Sequence, residues 1–383
     1  MSLNKGLIFA FVALTLFALV GIREVKSETA GVIVIKGDGS VSDTNAIQRS
    51  GNIYSLTGDR YNSPIIIQCN NIILDGKGFT LQGPKGWVSG LCAINLTCTN
   101  TTVQNFNIVG FWEVGVLGNY NGNTICNNNI TKTDRAISIY ASNYNVSGNY
   151  LADNDRAIRI VGNSVNIYRN KIVNNANGFF FSNSSANTII ANEIESNSIA
   201  VSTDYGGFVL YHNNFIDQNV GHDGSWSATV LSTAYYSQGS NVTIPPWDDS
   251  YPSGGNFWSD YASRYPNATE IGNSGIGDTT YTIGIECAIN STTVNSYIVE
   301  GIDRYPLLTP VNISEAIIEL PLLTPNASPS PSSSSTLPSP SLAPSPSIPE
   351  FPTWVAISLV IGVILLFVAL KKKVDSDKAK DRF

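Results

Sequence analysis

Two acidic–basic pairs recur in the middle of the chain. The segments TKTDRAISIY, from Thr131, and LADNDRAIRI, from Leu151, each contain Asp-Arg-Ala-Ile. Glycosidases use two carboxyl groups about 5 to 9 Å apart, and an arginine beside such a pair would suit a polysaccharide lyase. The candidate catalytic residues are therefore Asp134, Asp155 and Arg156.

A second group of functional side chains lies later in the chain, where WDD, GGNFWSDY and GIGD combine aromatic rings with short carboxylates and glycines. Loops of this kind supply the oxygen ligands that calcium prefers. One interpretation is a calcium-stiffened surface that stacks on sugars, with Asp260 and Asp278 as metal ligands. The other is a hydrophobic lid over the last repeat, which we favour because an open strand edge invites aggregation. The candidate ligand-binding residues are Trp247, Asp248, Asp249, Trp258 and Tyr261.

The repeat that carries the Asp-Arg pairs extends over a long part of the chain. Equivalent segments recur every 21 or 22 residues. Two of the aligned columns are apolar, and they consist of Ile125, Val146, Ile167, Ile189 and Leu210, and of Ile130, Leu151, Ile172, Ile194 and Phe215. A third column between them is made of asparagine, at Asn128, Asn149, Asn170, Asn192 and Asn213. A fourth column holds the small residues Gly115, Ala136, Ala157 and Gly178.

These columns predict an all-β fold, a parallel β-solenoid in which equivalent residues lie one above the other. The repeats read as short strands separated by Gly, Asn and Ser turns, and none has a helical period. A repeat this short cannot bury its apolar face alone, so consecutive repeats must stack. Stacked asparagine amides can then donate to and accept from one another. Roughly seven coils fit between residues 65 and 220 at ~4.8 Å per coil, and the Asp-Arg pairs are primarily part of this architecture.

The two ends of the chain predict export and anchoring. An apolar run after Lys5 has the character of a secretory signal, and an uncharged stretch near residue 360 precedes three lysines, as in a membrane anchor. A Ser/Pro tract before the anchor predicts an extended stalk. The predicted organisation is a signal peptide (1–28), an N-terminal cap (31–64), parallel β-helix repeats (65–224), a C-terminal capping segment (225–312), a stalk (313–352), a transmembrane anchor (353–373) and a cytoplasmic tail (374–383).

The composition of the chain limits the classes of molecule that it can bind. A net charge of −7 with only 13% charged residues argues against nucleic acid. His212 and His222 are the only histidines of the chain, which has one methionine. The sequence therefore offers few of the side chains that bind copper. We expect no cofactor, with calcium as the alternative. Ten Asn-x-Ser/Thr sequons favour a glycosylated exterior. Cys69 and Cys98 precede equivalent strands of consecutive coils, but the sequence leaves their pairing open.

Residues 31 to about 310 resemble the archaeal surface proteins with a NosD-type right-handed parallel β-helix. IVIKGDGSVSDTNAIQRSGNIYSLTGD is similar to the opening cap of that family, NNIILDGKGFTLQG to its first coil, and PPWDDSYPSGGNFWSDY, GIGDTTYTI and DRYPLL to its closing segment. The tail PEFPTW with its apolar run resembles an archaeal surface-anchoring signal. The resemblance implies a right-handed β-helix, a fold shared with pectate lyases, polygalacturonases and carbohydrate-binding proteins, and the fold alone does not fix the function.

The sequence is compatible with two functions. The uniform columns and the anchor favour a non-enzymatic protein of the cell surface, anchored in the membrane with most of the chain extracellular. Its role would lie in envelope structure, adhesion or polysaccharide binding, and its partners would be the membrane and polysaccharide or other envelope components. The alternative is a polysaccharide lyase or glycoside hydrolase that acts on the solenoid face through Asp134, Asp155 and Arg156.

Overall fold

The computed structural model describes residues 31–85, 88–110, 112–203, 206–217, 231–234, 247–283, 285–288 and 301–316. The predicted signal peptide, transmembrane anchor and cytoplasmic tail, and most of the predicted stalk, lie outside these residues. Among the helices that the structure describes, none has the length and apolar character needed to cross a bilayer.

The described residues form a right-handed β-solenoid of about seven turns, which confirms the predicted all-β fold. Sheet 1 contains Ile33–Ile35, Ile65–Ile67, Val88–Leu96, Trp112–Gly118, Arg135–Ile139, Arg156–Ile160, Asn177–Phe181, Ile199–Thr203, Leu231–Ala234 and Ile285–Ala288. Sheet 2 contains Arg60–Tyr61, Thr80–Gln82, Asn107–Val109, Asn129–Thr131, Tyr150–Ala152, Lys171–Val173, Glu193–Glu195, Asn214–Ile216 and Phe257–Trp258. Sheet 3 contains Ile47–Ser50, Ile53–Leu56, Ile73–Asp75, Thr102–Gln104, Thr124–Cys126, Asn145–Ser147, Asn166–Tyr168, Ser184–Ile190 and Gly206–Tyr211.

Strand pairing within the three sheets is parallel, apart from the antiparallel pair Ile47–Ser50 and Ile53–Leu56. The closing segment adds one helical turn, Tyr261–Arg264, and an antiparallel pair, Tyr281–Ile283 and Gly301–Asp303. Each coil therefore contributes one short strand to each sheet in turn, and the chain climbs by one strand spacing per coil.

The pairing register reproduces the predicted apolar columns. Ile125 pairs with Val146 and Val146 with Ile167 in sheet 3, and Ile130 pairs with Leu151 in sheet 2. These side chains have no exposed surface, so they form the centre of the solenoid. Burial of an aliphatic side chain stabilises the fold by about 1.5–3 kcal/mol, and the columns repeat that contribution in every coil.

The column of small residues has a steric cause. A Cβ atom on Gly115 would lie 2.5 Å from the carbonyl oxygen of Ala136, and one on Gly178 would lie 2.6 Å from the carbonyl oxygen of Ala200. The backbone of the next coil therefore approaches too closely for a larger side chain. Ala136 and Ala157 are fully buried at the equivalent positions.

The predicted asparagines hydrogen bond in series along the turn between sheets 3 and 2. The Nδ2 atom of Asn149 donates to Oδ1 of Asn170 at 2.9 Å and to the carbonyl oxygen of Ile125 at 2.9 Å. The backbone N–H of Asn149 donates to the same Oδ1 atom at 3.0 Å. The series continues through Asn192 and Asn213 and ends on Asn256 of the closing segment. Each amide thus satisfies backbone groups that water cannot reach.

A second series of the same kind follows the turn between sheets 2 and 1. Oγ1 of Thr133 donates to Oδ1 of Asn154 at 2.7 Å, and Nδ2 of Asn154 donates to Oδ1 of Asn175 at 3.0 Å. The last link runs from Asn175 to Asn197 at 2.9 Å. This series is not among the columns predicted from the sequence, although its members have the same spacing of 21 or 22 residues.

The solenoid extends beyond the predicted repeat boundaries. Ile33–Ile35, within the predicted N-terminal cap, already pairs with Ile65–Ile67. Phe257–Trp258, within the predicted closing segment, pairs with sheet 2. Parallel strand pairing therefore occurs on both sides of the predicted repeat region, residues 65–224.

The described residues around the predicted start of the stalk, residue 313, contact the coils of the solenoid. The side-chain amide of Asn214 exchanges two hydrogen bonds with the backbone of Val311, both 2.8 Å long. Nη2 of Arg169 donates to the carbonyl oxygen of Ala316 at 2.7 Å. Residues 311–316 are thus held against the side of the solenoid, since both partners lie on its coils.

Candidate functional site

The candidate catalytic residues lie on the outer side of sheet 1. Ile137 and Ile139 are fully buried, and alternation along the strand places Ser138, between them, on the other side of the sheet, where neighbouring side chains cover it. Arg135, at the start of the strand, keeps 17% of its side chain exposed. In the next coil, Arg156 pairs with Arg135 and Arg159 pairs with Ser138. We call this surface the arginine face, and its charged and aromatic members are Glu113, Asp134, Arg135, Tyr140, Asp155, Arg156, Arg159 and Phe180.

Arg135 is fully compensated by carboxylates. Its Nε atom lies 3.1 Å from Oδ2 of Asp134, and its Nη2 atom contacts Oε1 of Glu113. Partial burial disfavours the charged guanidinium, but the bond to Asp134 and the charges of both carboxylates outweigh it, so the pKa of Arg135 is raised. This cluster is a structural ion-pair network.

Asp155 and Arg156 form a looser pair one coil above. Nη1 of Arg156 lies 3.6 Å from Oδ2 of Asp155, whose side chain is 48% exposed. The backbone N–H of Arg156 donates to the carbonyl oxygen of Asp134 at 2.7 Å, so the two aspartates stand at stacked positions. The structure thus brings Asp134, Asp155 and Arg156 together, with each carboxylate facing an arginine. A glycosidase instead needs one carboxyl group that donates a proton to the leaving group.

Arg159 differs from the other two arginines. Its guanidinium carbon lies 4.8 Å from the ring centre of Tyr140 and 5.8 Å from that of Phe180. Among the residues that the structure describes, no carboxylate lies within ion-pair distance of it, and its Nη1 atom has no hydrogen-bond partner. The Oγ atom of Ser138, its strand neighbour, is also enclosed without a partner. Among its described residues, the arginine face thus carries one arginine without a carboxylate partner, Arg159.

Arg159 is not among the catalytic, ligand-binding or metal-binding residues predicted from the sequence. The sequence does contain a signal for Arg159. The repeat DRAISI, from Asp134, has a serine where the next repeat, DRAIRI from Asp155, has Arg159. The serine-to-arginine difference falls at an outward position, where the architecture does not require a charge.

The aromatic rings of the closing segment, predicted as candidate ligand-binding residues, lie inside the molecule. Trp247, Trp258 and Tyr261 are at most 4% exposed. The ring of Trp258 stacks on Phe215 with centres 4.3 Å apart and on Tyr281 at 4.2 Å. Because Phe257–Trp258 continues sheet 2, Trp258 extends the inner column above Phe215. These rings therefore form the lid over the last coils.

Asp248 is likewise used within the closing segment. Its side chain is fully buried, and Arg304 donates to it from Nη2 at 2.7 Å and from Nε at 3.0 Å. Burial acts to raise the pKa of Asp248, but the hydrogen bonds from Arg304 and from the backbone of Ser250 more than offset it and hold the pKa below its ordinary value. Asp249, the neighbouring candidate, is exposed.

The two predicted metal ligands already accept hydrogen bonds from the protein. Asp260 accepts from the hydroxyl of Tyr281 at 3.0 Å. Asp278 accepts from N and Oγ1 of Thr269, at 2.9 Å and 2.7 Å, and the hydroxyl bond is the main reason that its pKa is lowered. Across the described ranges, no group of three or more His, Cys, Asp or Glu side chains is arranged to hold a metal ion.

Asp303 is a buried carboxyl group at the centre of the lid. It has no exposed surface and accepts from the backbone N–H of Asn256 at 2.7 Å and from Nε1 of Trp258 at 2.8 Å. Burial raises the pKa of Asp303 to about 7, against these donors and the N–H of Tyr305, which favour the carboxylate. Gly255 has to be glycine because a Cβ atom there would lie 1.9 Å from Oδ1 of Asp303.

The stability of the lid should depend on pH through Asp303. In an unfolded chain an aspartate has a pKa of about 3.9, so the folded protein binds more protons between that pH and about 7. The stabilisation linked to Asp303 is therefore fully present below about pH 4 and is lost as the pH rises through 7, at up to ~1.4 kcal/mol per pH unit. The unfolding temperature of the wild type, measured from pH 4 to 8, should therefore decrease as the pH rises. In Asp303→Asn, the part of this decrease that comes from Asp303 should be missing. Equal slopes for both proteins would contradict this assignment.

Comparison with known protein families finds a match to part of the chain. The model of the family described as "Periplasmic copper-binding protein (NosD)" matches residues 160–263, which span the upper coils and part of the closing segment. A search of curated proteins finds no match.

Copper does not fit the residues that the structure describes. Nε2 of His212 lies 2.8 Å from the carbonyl oxygen of Ser253, and the ring packs edge-on against Tyr211. His222 lies outside the described residues, and the chain holds a single methionine. Within the described part of the chain, His212 belongs to no group of three or more His, Cys, Asp or Glu side chains that could hold a metal ion. The match to this family is in keeping with the β-solenoid fold of the chain.

Proposed function

We propose that this protein is a β-solenoid of the cell surface that binds polysaccharide along the arginine face and does not cleave it. The observation that carries the proposal is Arg159, whose guanidinium lies beside two aromatic rings without a carboxylate partner in the described surroundings. The similarity to a family described as periplasmic supports a location outside the cytoplasm, as do the predicted signal peptide and anchor. Such a protein would serve adhesion or envelope assembly.

The chemistry of the face suits a polysaccharide that carries carboxylate or sulfate groups. A guanidinium binds such anions through two parallel hydrogen bonds. The ring of Tyr140 is 43% exposed and offers an apolar surface beside the charge. Because the coils stack in register, a linear polymer can lie across several of them. The other two arginines, Arg135 and Arg156, are paired with acidic side chains, so Arg159 would supply the free positive charge.

The test compares Arg159→Ala with a matched control. Arg264 lies in the lid with its guanidinium carbon 4.9 Å from the ring centre of Tyr281, nearly the geometry of Arg159 over Tyr140. The purified full chain is titrated with polygalacturonate, chondroitin sulfate and dextran. We expect the acidic polymers to bind more tightly than dextran, and Arg159→Ala to weaken acidic binding about tenfold, or ~1.4 kcal/mol, while Arg264→Ala binds as the wild type.

The conservative variant Arg159→Lys separates charge from shape. It keeps the charge but loses the planar pair of donors, so its affinity for the acidic polymers should fall between those of the wild type and Arg159→Ala. If the wild type, Arg159→Ala, Arg159→Lys and Arg264→Ala bound the acidic polymers with equal affinity, Arg159 would not be part of the binding site. Failure of the wild type to bind any of a broad set of glycans would leave only a structural role.

Catalysis is the second candidate, and one observation favours it. Asp155 and Arg156 form the most exposed acid–arginine pair on the arginine face. A lyase or hydrolase would release unsaturated uronates or new reducing ends from the same polymers. Activity in the wild type that Asp155→Asn abolishes, with binding retained, would replace the binding proposal by an enzymatic one.

A further inference from the structure

Two cysteines follow neighbouring strands of sheet 1 at the same register. Ile67 pairs with Leu96, and Cys69 and Cys98 come two residues later on their respective strands. The backbone stays stacked beyond the strands, because the N–H of Thr97 donates to the carbonyl oxygen of Ile67 at 2.9 Å. The two cysteines therefore stand at equivalent positions of consecutive coils, one strand spacing of ~4.8 Å apart.

The surroundings of the two thiols are continuous. Oγ1 of Thr101 lies 3.3 Å from Sγ of Cys98 and 3.4 Å from the carbonyl oxygen of Cys69. Cys98 is 2% exposed, and Cys69 is partly buried against the same core. Burial raises the pKa of the Cys98 thiol, and the nearby Cys69 raises it further. The hydrogen bond with Thr101 acts in the opposite direction but does not cancel the increase in this pKa.

This spacing matches what a disulfide needs. Disulfide-bonded cysteines have Cα atoms about 4.4–6.8 Å apart, a range that includes the strand spacing. The other cysteines of the described residues lack a partner at the equivalent position. Cys92 pairs with Val114, Cys126 pairs with Gln104 and Ser147, and Cys287 pairs with Thr233.

We propose that Cys69 and Cys98 form a disulfide that links two consecutive coils near the N-terminal end of the solenoid. The oxidant is an external disulfide, either a small molecule or an exchange protein. The more accessible Cys69 thiolate attacks it, forms a mixed disulfide and releases one thiolate of the oxidant. The Cys98 thiolate then attacks Sγ of Cys69 and releases the second. Two protons and two electrons leave the protein, and the oxidant becomes a pair of thiols.

The bond would act mainly on the unfolded chain. It closes a loop that spans one full coil, which lowers the conformational entropy of the unfolded state. The terminal coils of a stacked array have neighbours on one side only and are the first to open. A covalent link there would resist opening of the N-terminal end.

Peptide mapping tests the pairing directly. The full chain is equilibrated with oxidised glutathione, quenched with acid, alkylated and digested. We expect one pair of peptides joined through Cys69 and Cys98, two hydrogens lighter than the sum of the reduced peptides, with Cys92 and Cys126 alkylated. Alkylation of both Cys69 and Cys98 in the folded, oxidised protein, or a bond from either one to another cysteine, would overturn the proposal.

Thermal unfolding provides a second readout. Under oxidising conditions Cys69→Ser and Cys98→Ser should each unfold about 5–10 °C below the wild type, and the difference should vanish after reduction. Cys126→Ser, the matched control, should follow the wild type under both conditions. A shift in the two serine variants that is the same with and without reductant would also count against the bond.

Discussion

Replacement of Asn170 by alanine should lower the free energy of unfolding by about 3–5 kcal/mol. Asn170 is fully buried, and its Oδ1 atom accepts from both the backbone and the side chain of Asn149. Its Nδ2 atom donates to Oδ1 of Asn192 and to the carbonyl oxygen of Val146. Alanine removes these four hydrogen bonds and leaves the backbone N–H of Asn149 buried without its acceptor. Nδ2 of Asn149 keeps its bond to Ile125, and Oδ1 of Asn192 keeps the backbone N–H of residue 170. Each buried group that is left without a partner costs about 1–3 kcal/mol. Denaturant titration followed by circular dichroism measures the change.

Asn119 offers a matched control for the same substitution. It is exposed, and its Nδ2 atom makes one long bond, 3.4 Å, to Oδ1 of Asn95. Asn119→Ala should therefore change the free energy of unfolding by less than about 0.5 kcal/mol. Similar losses in the two variants would show that the buried series of amides does not stabilise the fold more than an exposed asparagine does.

Replacement of Trp258 by alanine should have an effect of similar size, about 3–5 kcal/mol. The indole is buried between Phe215 and Tyr281, and its Nε1–H donates to Asp303. The substitution removes the stacked ring, opens a cavity over the last coils and takes one donor from a buried carboxyl group. Unfolding should begin from the lid, which hydrogen exchange detects as faster exchange in Phe257–Trp258 and Asn214–Ile216.

Two further variants divide the contribution of Trp258. Trp258→Phe keeps an aromatic ring but loses the donor, so we expect a loss of about 1–2 kcal/mol. Tyr120→Ala removes an aromatic ring that is 50% exposed, and should cost less than about 0.5 kcal/mol. If Trp258→Ala were as mild as Tyr120→Ala, the indole would not be a structural part of the lid.

The sequence predicts the solenoid because its inner columns obey a simple rule. Residues such as Ile125, Val146 and Ile167 recur at one spacing and cannot be buried unless the coils stack. The second amide series escapes detection because it begins with Thr133 and because Asn154 and Asn175 are two among many asparagines. Periodicity marks a column only where its members stand out from the background composition.

The closing segment is harder to predict because side-chain direction depends on register. Phe257 and Trp258 are adjacent aromatic residues, and only the pairing of Phe257 with Asn214 decides that Trp258 faces the core. The intervening chain departs from the repeat period, so the sequence does not fix that register. Arg159 is missed for a different reason, since a single outward substitution in a repeat leaves the apolar columns unchanged.

Distances between coils test the stacking of equivalent positions most directly. Thr80, Asn107 and Glu193 lie in one outward column of sheet 2, with Asn129, Tyr150 and Lys171 between the last two. Nitroxide labels introduced as unnatural amino acids leave the native thiols unmodified, and pulsed electron resonance measures their separation. The pair at 107 and 193 should be about 19 Å apart and the pair at 80 and 193 about 24 Å, one strand spacing more. Broad distributions of the distance between the labels would contradict the stacked solenoid. So would a change far from one strand spacing when the first label is moved from position 107 to position 80.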